Sequence, residues 1–419
     1  MVGNSHLAAE GIEYEPDITE EIPTLGPVTC FYNEEEIAET TLKNLDAAAE
    51  ESDFYKTVYA VDDGSEDNTA EIIEEYGEDS NNIEFIEMKE NTGKFGAQKH
   101  CTEYMDEDYW LSIDADSYID TPEKIDEKLM EIDQSDSAGA MLEMHPETKG
   151  EGILSKFYEE MQSLEYSMRR GLDRITSNGE KSQIITASGT ATLAETEKVE
   201  EAMKYHSGNY AGDDRELTTI LELKMDEEIE YLPELEIRTM APEKPKEHLK
   251  QRRIWVLGQI NAISEHPKAH IKGLKQKSRY SATLGLDMLG TASTPLMFNK
   301  AAEITNSGDL ETLGLAYAGA AGIAGIGYAN AALRGETLQS ETKKEKAKEL
   351  GKDILGLAAM PLYSTTTRAY SVHGAFKDKL YNESKDELEK AYKNAKTQDK
   401  DKNQINETSH QKTPLVSAD

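Results

Sequence analysis

Residues 112–117 read S-I-D-A-D-S and place two aspartates, Asp114 and Asp116, one residue apart at the end of an apolar run. Two carboxylates this close repel each other unless a cation lies between them. Carboxylate oxygens are the ligands that Mg²⁺ and Mn²⁺ prefer. The stretch therefore indicates a divalent cation site, and such a cation typically bridges a diphosphate and neutralises the charge of a departing group.

A second acidic turn, V-D-D-G-S-E-D-N-T, occupies residues 61–69. Asp62 and Asp63 follow an apolar run, and Gly64 permits a sharp turn after them. The polar residues that follow are typical helix caps. Turn chemistry alone explains the glycine and the caps but not the two adjacent acids. These acids can accept hydrogen bonds from the ring imide and ribose hydroxyls of a nucleotide.

A third acidic pair lies in G-D-D-R-E-L-T-T, residues 212–219, at the start of a predicted helix. Aspartates at a helix start ordinarily favour the helix dipole. If Asp214 instead faces the cation site, it can deprotonate an acceptor hydroxyl as a general base. Both interpretations stay open on the residues alone.

The elements that must position these acids alternate from residue 27 onwards. Short apolar strands are followed by amphipathic helical stretches, a rhythm typical of an α/β sheet with parallel strands. Ligands bind beyond the carboxyl ends of such strands. Each predicted strand is followed by polar residues: Y-N-E-E, D-D-G-S, E-N-T-G-K and D-A-D-S. We expect these four strand ends to meet at one crevice.

The composition limits the possible partners. Lys and Arg total 45 against 82 Asp and Glu, a formal charge of -37, which argues against nucleic acid or an anionic surface as the general partner. The two cysteines form no recognisable framework, and the start of the chain shows no secretory signal, so we expect a cytoplasmic catalytic part. Histidine spacing predicts no zinc site, and phosphate-loop and α/β-hydrolase motifs are missing.

The last third of the sequence differs from the rest. A basic strip over residues 244–279 precedes weakly apolar stretches at 281–298, 312–333 and 353–367. The middle stretch is uncharged and long enough to span a bilayer, and the basic strip matches the bias of cytoplasmic loops. The stretches are also rich in Ala, Gly, Ser and Thr, so closely packed soluble helices remain the alternative. Apolar residues at helical spacing predict one more helix, over residues 153–168, that packs on the domain; a position at a membrane interface is the alternative.

Seven motifs in order resemble the family 2 glycosyltransferases, especially the branch of cellulose, chitin and hyaluronan synthases. The match covers about residues 25–260, and the motifs are P-V-T-C-F-Y-N-E-E, V-D-D-G-S-E-D-N-T, N-T-G-K-F-G-A-Q, I-D-A-D-S, S-G-T-A, G-D-D-R-E-L-T and A-P-E-K-P-K-E-H-L-K-Q-R-R-I-W. The resemblance implies a GT-A fold, a Rossmann-like mixed α/β sheet flanked by helices. The expected organisation is an acidic extension (1–24), the catalytic domain (25–260), a helical, membrane-associated region (261–376) and a disordered polar tail (377–419).

The resemblance also implies a role for each matching residue. The nucleotide-sugar would contact Glu34, Asp62, Asp63, Lys94 and Asp114; the metal, Mg²⁺ or Mn²⁺, would bind Asp114 and Asp116; and Asp214 would be the catalytic base. The acceptor would contact Asp213, Gln251, Arg252, Arg253 and Trp255. Without the resemblance, Lys94 reads as a surface lysine on a glycine turn.

One residue departs from the family pattern. Processive members carry Q-x-x-R-W, whereas this chain has Ile254 where the arginine before Trp255 belongs. Arg253 is one position away and points about 100° around a helix. The departure favours single transfer over synthesis of long chains.

The resulting hypothesis is an inverting, metal-dependent glycosyltransferase at the cytoplasmic face of the cell membrane. It would use a nucleotide-diphospho-sugar, with a UDP-sugar favoured, and a saccharide or lipid-linked acceptor. The alternatives are transfer to a polyprenyl phosphate and a catalytically inactive protein that binds nucleotide sugars.

Overall fold

The computed structural model describes residues 22–177, 187–209 and 211–276, together with Tyr363 and Ser371. Nearly all of the predicted acidic extension lies outside these residues, as do the polar tail and, apart from Tyr363, the three weakly apolar stretches.

The described residues form one sheet with helices on both faces. The strands are β1 Leu25–Phe31, β2 Val58–Asp62, β3 Ile83–Glu87, β4 Tyr109–Asp114, β5 Ser117–Ile119, β6 Gly139–Glu147, β7 Ala191–Glu195 and β8 Ile229–Met240. The helices are α1 Ala38–Glu50, α2 Thr69–Asp79, α3 Lys94–Cys101, α4 Ile125–Asp133, α5 Ile153–Ser177, α6 Thr196–Met203, α7 Asp213–Thr219, α8 Pro245–Glu265 and α9 Pro267–Gln276.

The sheet is mixed, with the strand order β3-β2-β1-β4-β7-β6-β8-β5. β1 pairs in parallel with β2 and β4, and β2 pairs in parallel with β3, as the alternation of strands and helices predicts. β7 runs antiparallel to both β4 and β6. The described residues therefore form the mixed α/β sheet flanked by helices that the motifs implied.

The core lies on both faces of the sheet because side chains alternate along each strand. In β2, Val58 and Ala60 pack towards α1, α2 and α4, while Tyr59 and Val61 pack towards α3, α6 and α7. A strand that is covered on both faces reads as a continuous apolar run, which is why β1, β2 and β4 are visible in the sequence. Burying each large apolar side chain contributes about 1.5–3 kcal/mol.

Two helices extend further than the sequence pattern indicated. α5 continues beyond residue 168 to Ser177, with Met161 and Leu164 buried while Leu154 remains 58% exposed. α8 runs through residue 260, the expected end of the catalytic domain, to Glu265. Across the described part of the chain, no helix has both the length and the apolar character needed to cross a bilayer.

Candidate active site

The carboxyl ends of three neighbouring strands form the base of the site. The register places Phe31 of β1 opposite Asp62 of β2, and Cys30 of β1 opposite Asp114 of β4. The acidic residues that end β2 and β4 therefore lie at the same edge of the sheet, on either side of β1.

One carboxylate oxygen of Asp62 stabilises the turn that follows it. Its Oδ2 accepts hydrogen bonds from the backbone N–H groups of Gly64 at 3.1 Å and Ser65 at 3.0 Å. Gly64 has a φ of 70°, and a Cβ there would lie 2.7 Å from the carbonyl carbon of Glu90, so only glycine fits. Asp62 is 1% exposed, and its Oδ1 has no hydrogen-bond partner within the described residues. This oxygen is the acceptor that a ligand could use.

Asp63 joins two turns of the site. Its Oδ1 accepts hydrogen bonds from the backbone N–H of Thr92 at 2.8 Å and from the Thr92 hydroxyl at 2.9 Å. Thr92 belongs to the N-T-G-K turn that leads into α3. The D-D-G-S and N-T-G-K turns are thus fixed to one another, and Lys94 follows directly.

Lys94 lies inside the site and is not a freely solvated surface lysine. Its Nζ donates to Asp114 Oδ1 and, at 2.5 Å, to the carbonyl oxygen of Gly189. Burial opposes the charge on Lys94, but Asp114 and Asp213 outweigh it and raise the pKa of Lys94. The ammonium group is therefore charged and connects α3, β4 and the segment before β7.

Asp116 and Glu34 add negative charge at the same edge. Desolvation, followed by repulsion from Asp114, raises the pKa of Asp116 to about 6, although Ser117 donates a hydrogen bond to it at 3.0 Å. Desolvation, followed by repulsion from Asp116, also raises the pKa of Glu34. These groups disfavour one another's ionisation, which is the electrostatic setting that a cation relieves.

The predicted base lies at the start of α7. Asp214 Oδ2 accepts a hydrogen bond from Gly189 N at 2.9 Å, and Oδ1 accepts one from Arg215 N at 2.7 Å. Desolvation raises the pKa of the neighbouring Asp213 to about 6; Lys94 opposes this shift and Asp214 adds to it. Gly189 thus binds Lys94 through its carbonyl group and Asp214 through its N–H.

The thiol of Cys30 shows how closely these groups gather. Burial raises its pKa to about 12; the charge of Lys94 opposes this shift, whereas the charges of Asp63, Asp114 and Asp213 add to it. Three acids from separate turns therefore act on one side chain of β1. The structure brings together acids that are up to 150 positions apart in the sequence.

A small cavity of about 20 Å³ is lined by side chains that include Lys94, Asp213 and Asp214. A larger groove, of about 450 Å³, lies at the amino ends of β2 and β3, beside Thr57 and Asn82. That groove is at the wrong end of the strands for a ligand of a parallel sheet. The smaller cavity belongs to the site.

The metal prediction rests on two carboxylates. Among the side chains of the described ranges, no group of three or more His, Cys, Asp or Glu residues is arranged to hold a metal ion. Mg²⁺ commonly binds through one or two carboxylates and takes its other ligands from phosphates and water. Asp114 and Asp116 fit this mode, since they repel each other and lie beside the site.

The predicted acceptor residues lie on α8. The guanidinium group of Arg252 lies 2.5 Å from Glu165 of α5 and 4.1 Å from the centre of the Trp255 ring. Trp255 is 41% exposed, so one part of its ring is open to an acceptor. Gln251 has a buried Oε1 without a hydrogen-bond partner in the part of the chain described here, and Arg253 follows on the same helix.

The residue that departs from the family pattern has a packing role. Ile254 packs partly buried against Ala211 and Leu257. An arginine at this position would face that apolar cluster, which explains the isoleucine in this chain.

Comparison with known proteins agrees with this picture. Residues 28–201 match the model described as "Glycosyl transferase family 2". The poly-beta-1,6-N-acetyl-D-glucosamine synthase of Staphylococcus aureus (strain COL) is 36% identical over 107 residues, 25% of each chain. The enzyme of the same name from Staphylococcus epidermidis is 26% identical over 258 residues, 62% of this chain and 57% of that one. The match thus spans about a quarter of the first relative's length.

One solved structure is similar in fold. The mannosyltransferase PcManGT from Pyrobaculum calidifontis, in complex with GDP-Man and Mn²⁺, has a TM-score of 0.56 at 15% identity, covering 88% of this chain and 90% of that one. The similarity to this structure shows that the chain has a GT-A-like α/β fold. The match of residues 28–201 to the family 2 glycosyltransferase model confirms the resemblance seen in the motifs.

Several residues of the site were not assigned a role from the sequence. Thr92 holds Asp63, and Gly189 links Lys94 to Asp214. Both lie in quoted motifs, N-T-G-K and S-G-T-A, so the motif match was the available signal. Glu216, with both carboxylate oxygens hydrogen-bonded, lies in the first turn of α7 and belongs to the quoted motif G-D-D-R-E-L-T.

Proposed function

We propose that the chain transfers a sugar, with inversion, from a nucleotide diphosphate to a hydroxyl group, and that Asp214 is the general base. The observation that carries the proposal is the hydrogen bonding of Gly189, which joins Lys94 and Asp114 on one side to Asp214 on the other. Inverting transfer needs one base and a stabilised leaving group, and it needs no covalent nucleophile. The backbone N–H groups of Gly189 and Arg215 donate to Asp214 and hold its carboxylate in one orientation.

The donor would bind along the edge formed by Glu34, Asp62, Asp63 and Lys94. The orphaned Oδ1 of Asp62 suits an N–H or O–H donor of the nucleoside. The charged Lys94 suits the diphosphate. A UDP-sugar is the favoured donor, and the names of the staphylococcal relatives support N-acetylglucosamine as the first sugar to test.

Asp114 and Asp116 would hold Mg²⁺ or Mn²⁺. When bound, the cation supplies positive charge that stabilises the departing diphosphate. Lys94 already neutralises Asp114 and would turn towards phosphate oxygens as the donor enters.

The acceptor would lie between Asp213 and the surface of α8 that carries Gln251, Arg252, Arg253 and Trp255. An exposed tryptophan ring gives a sugar or lipid-linked sugar an apolar face to stack on. Because Ile254 packs inward, we propose that the enzyme transfers a single sugar. We also propose that it acts at the cytoplasmic face of a membrane, which the C-terminal region would contact.

The test is nucleotide release from a panel of UDP- and GDP-sugars with Mn²⁺, with and without saccharide acceptors. We expect Asp214→Asn to lower kcat by about 10²–10⁴-fold, because it removes the base but keeps the shape. Asp226→Asn is the matched control, since Asp226 lies at the surface outside the site and asparagine tolerates its positive φ of 70°.

Each alternative has its own outcome. Full activity in the Asp214→Asn variant would remove the base assignment. Transfer only to polyprenyl phosphates would favour the lipid alternative, and nucleotide binding without turnover would favour an inactive binding protein. A short product ladder agrees with single transfer, whereas a long polymer contradicts it.

A further inference from the structure

A buried carboxylate, Glu216, lies two residues after the proposed base and takes no part in the mechanism above. Glu216 is 1% exposed, yet both of its oxygens have partners. Oε1 is 2.7 Å from His266 Nε2 and accepts a hydrogen bond from Ser207 N at 2.7 Å, and Oε2 accepts one from the Ser207 hydroxyl at 2.6 Å. Burial opposes the charge, but these hydrogen bonds outweigh it and lower the pKa of Glu216. Glu216 therefore anchors the segment before α7, and the end of α8, to α7.

His206 lies against this anchor, and its side chain is buried. Its Nδ1 accepts a hydrogen bond from the backbone N–H of Gly208 at 3.0 Å, so the ring proton is assigned to Nε2. Nε2 lies 3.2 Å from the carbonyl oxygen of Asp213 and 3.6 Å from Glu216 Oε2. The ring therefore donates to the backbone of the turn that carries Asp214. Burial also lowers the pKa of His206, in keeping with a neutral ring.

The flat face of the His206 ring contacts α3, the helix that begins with Lys94. The imidazole stacks on Phe95 with ring centres 3.7 Å apart and planes 14° from parallel. Phe95 directly follows Lys94 in α3. One ring thus touches the helix that places Lys94 and hydrogen-bonds to the turn that places Asp214.

From this geometry we propose that His206 is a positioning residue for the transfer reaction. It fixes the distance between the lysine that meets the donor and the base that meets the acceptor. The inference rests on the proposed function, because it takes Asp214 as the base. A donor-binding residue would change donor affinity, whereas a residue that only aligns the base should change kcat and leave donor KM nearly unaltered.

Two substitutions separate the hydrogen bond from the stacking. His206→Phe keeps an aromatic ring against Phe95 but has no N–H for Asp213. His206→Gln places an amide nitrogen near the position of Nε2 and restores the donor. We expect His206→Phe to lower kcat roughly tenfold with donor KM within about twofold of the wild type. We expect His206→Gln to recover most of the activity, and the control His100→Phe, at a partly exposed position, to match the wild type.

Hydrogen exchange gives a readout that does not need activity. The amides of Gly189 and Arg215 both donate to Asp214, so they report on the turn. They should exchange at least tenfold faster in His206→Phe, while amides of β1 and β2 stay unchanged, and His206→Gln should restore the wild-type rates.

The outcomes distinguish the two proposals. If His206→Phe shows wild-type kcat and exchange, the positioning role is wrong. If both variants are equally impaired and exchange rises throughout the domain, His206 only supports the fold, and the positioning role is also wrong. If the wild-type chain transfers no sugar, the proposed function fails, and the exchange of the Gly189 and Arg215 amides still decides whether His206 fixes the turn.

Discussion

At the scale of single residues, Gly189 is the backbone position on which the site depends. Its carbonyl group holds Lys94 and its N–H holds Asp214. A Cβ at this position would lie 3.1 Å from the Cβ of Asp214, closer than most such contacts. A larger residue would push Asp214 away from Lys94, which explains a glycine in the S-G-T-A motif.

A buried histidine outside the site gives a prediction about pH. His248 stacks on Tyr158 of α5, and its Nε2 lies 2.6 Å from the hydroxyl of Tyr363. Burial, followed by the charge of Arg252, lowers the pKa of His248 from 6.5 to about 4. Between these values the unfolded chain binds more protons than the folded one, so stability falls as the pH falls through this window.

The lowered pKa of His248 should make the free energy of unfolding about 2 kcal/mol smaller at pH 5 than at pH 7.5. Urea unfolding at the two pH values should show a correspondingly smaller loss in His248→Phe, which keeps the stacking without the titrating group. The partly exposed His100→Phe serves as the control and should keep the wild-type loss. Equal losses in the wild type and His248→Phe would show that His248 is not held neutral.

The sequence predicted the acids better than the residues that hold them. Asp62, Asp63, Asp114 and Asp116 stand out because paired acids after an apolar run need a reason. Gly189 does not stand out in the sequence, because its partners Lys94 and Asp214 lie 95 positions before it and 25 positions after it. A backbone N–H or carbonyl group leaves no mark in the sequence, so only the folded chain reveals this link.

At the scale of elements, α7 and α8 approach through two glycines. A Cβ on Gly258 would lie 2.5 Å from the Cα of Gly212, and backbone cannot yield as a flexible side chain can. Gly212 has a φ of 78° and immediately precedes Asp213. The contact between the helices therefore also sets where α7 begins.

We expect Gly258→Ala to force the two helices apart, to lower stability by about 1–3 kcal/mol and to reduce kcat, because the start of α7 carries Asp214. Gly77→Ala in α2 is the matched control, since a Cβ there meets nothing closer than 3.9 Å and alanine favours a helix. Thermal unfolding and nucleotide release measure both effects. A Gly258→Ala variant as stable and active as the wild type would contradict the close approach.

The sequence also predicted some elements better than others. β1, β2 and β4 are apolar runs followed by polar turns, and β3 mixes apolar and acidic residues before its own polar turn, so local pattern reveals all four. The strands β5 to β8 are not visible in this way, because they depend on distant partners: β7 pairs antiparallel with β4 and β6, β5 pairs antiparallel with β8, and β6 pairs in parallel with β8. The local composition of these strands does not predict which distant strand each one pairs with.

At the scale of the whole molecule, negative charge is in large excess. With 82 acidic residues against 45 Lys and Arg, and a net charge of -37, many carboxylates have no basic partner to neutralise them. Their repulsion is screened by salt, because the Debye length falls from about 10 Å at 0.1 M to about 3 Å at 1 M.

We therefore expect the melting temperature to rise by several degrees between 0.1 and 1 M KCl. Sucrose at equal osmolality, a neutral solute, is the control and should give a smaller rise. A melting temperature that falls with KCl would mean that attractive ion pairs outweigh the repulsion.

The direction of β7 has a consequence for how this architecture can diversify. Because β7 runs opposite to β4, the chain leaves the site after Asp114 and returns to the same edge at Thr190, whose carbonyl group accepts a hydrogen bond from Asp114 N at 2.9 Å. The segment between Asp114 and Thr190 is therefore held in place at both ends. Under the proposed function, insertions or deletions between β6 and β7 would alter α5, whose Glu165 contacts Arg252 on the acceptor side, and would leave the carboxyl ends of β1, β2 and β4 in place.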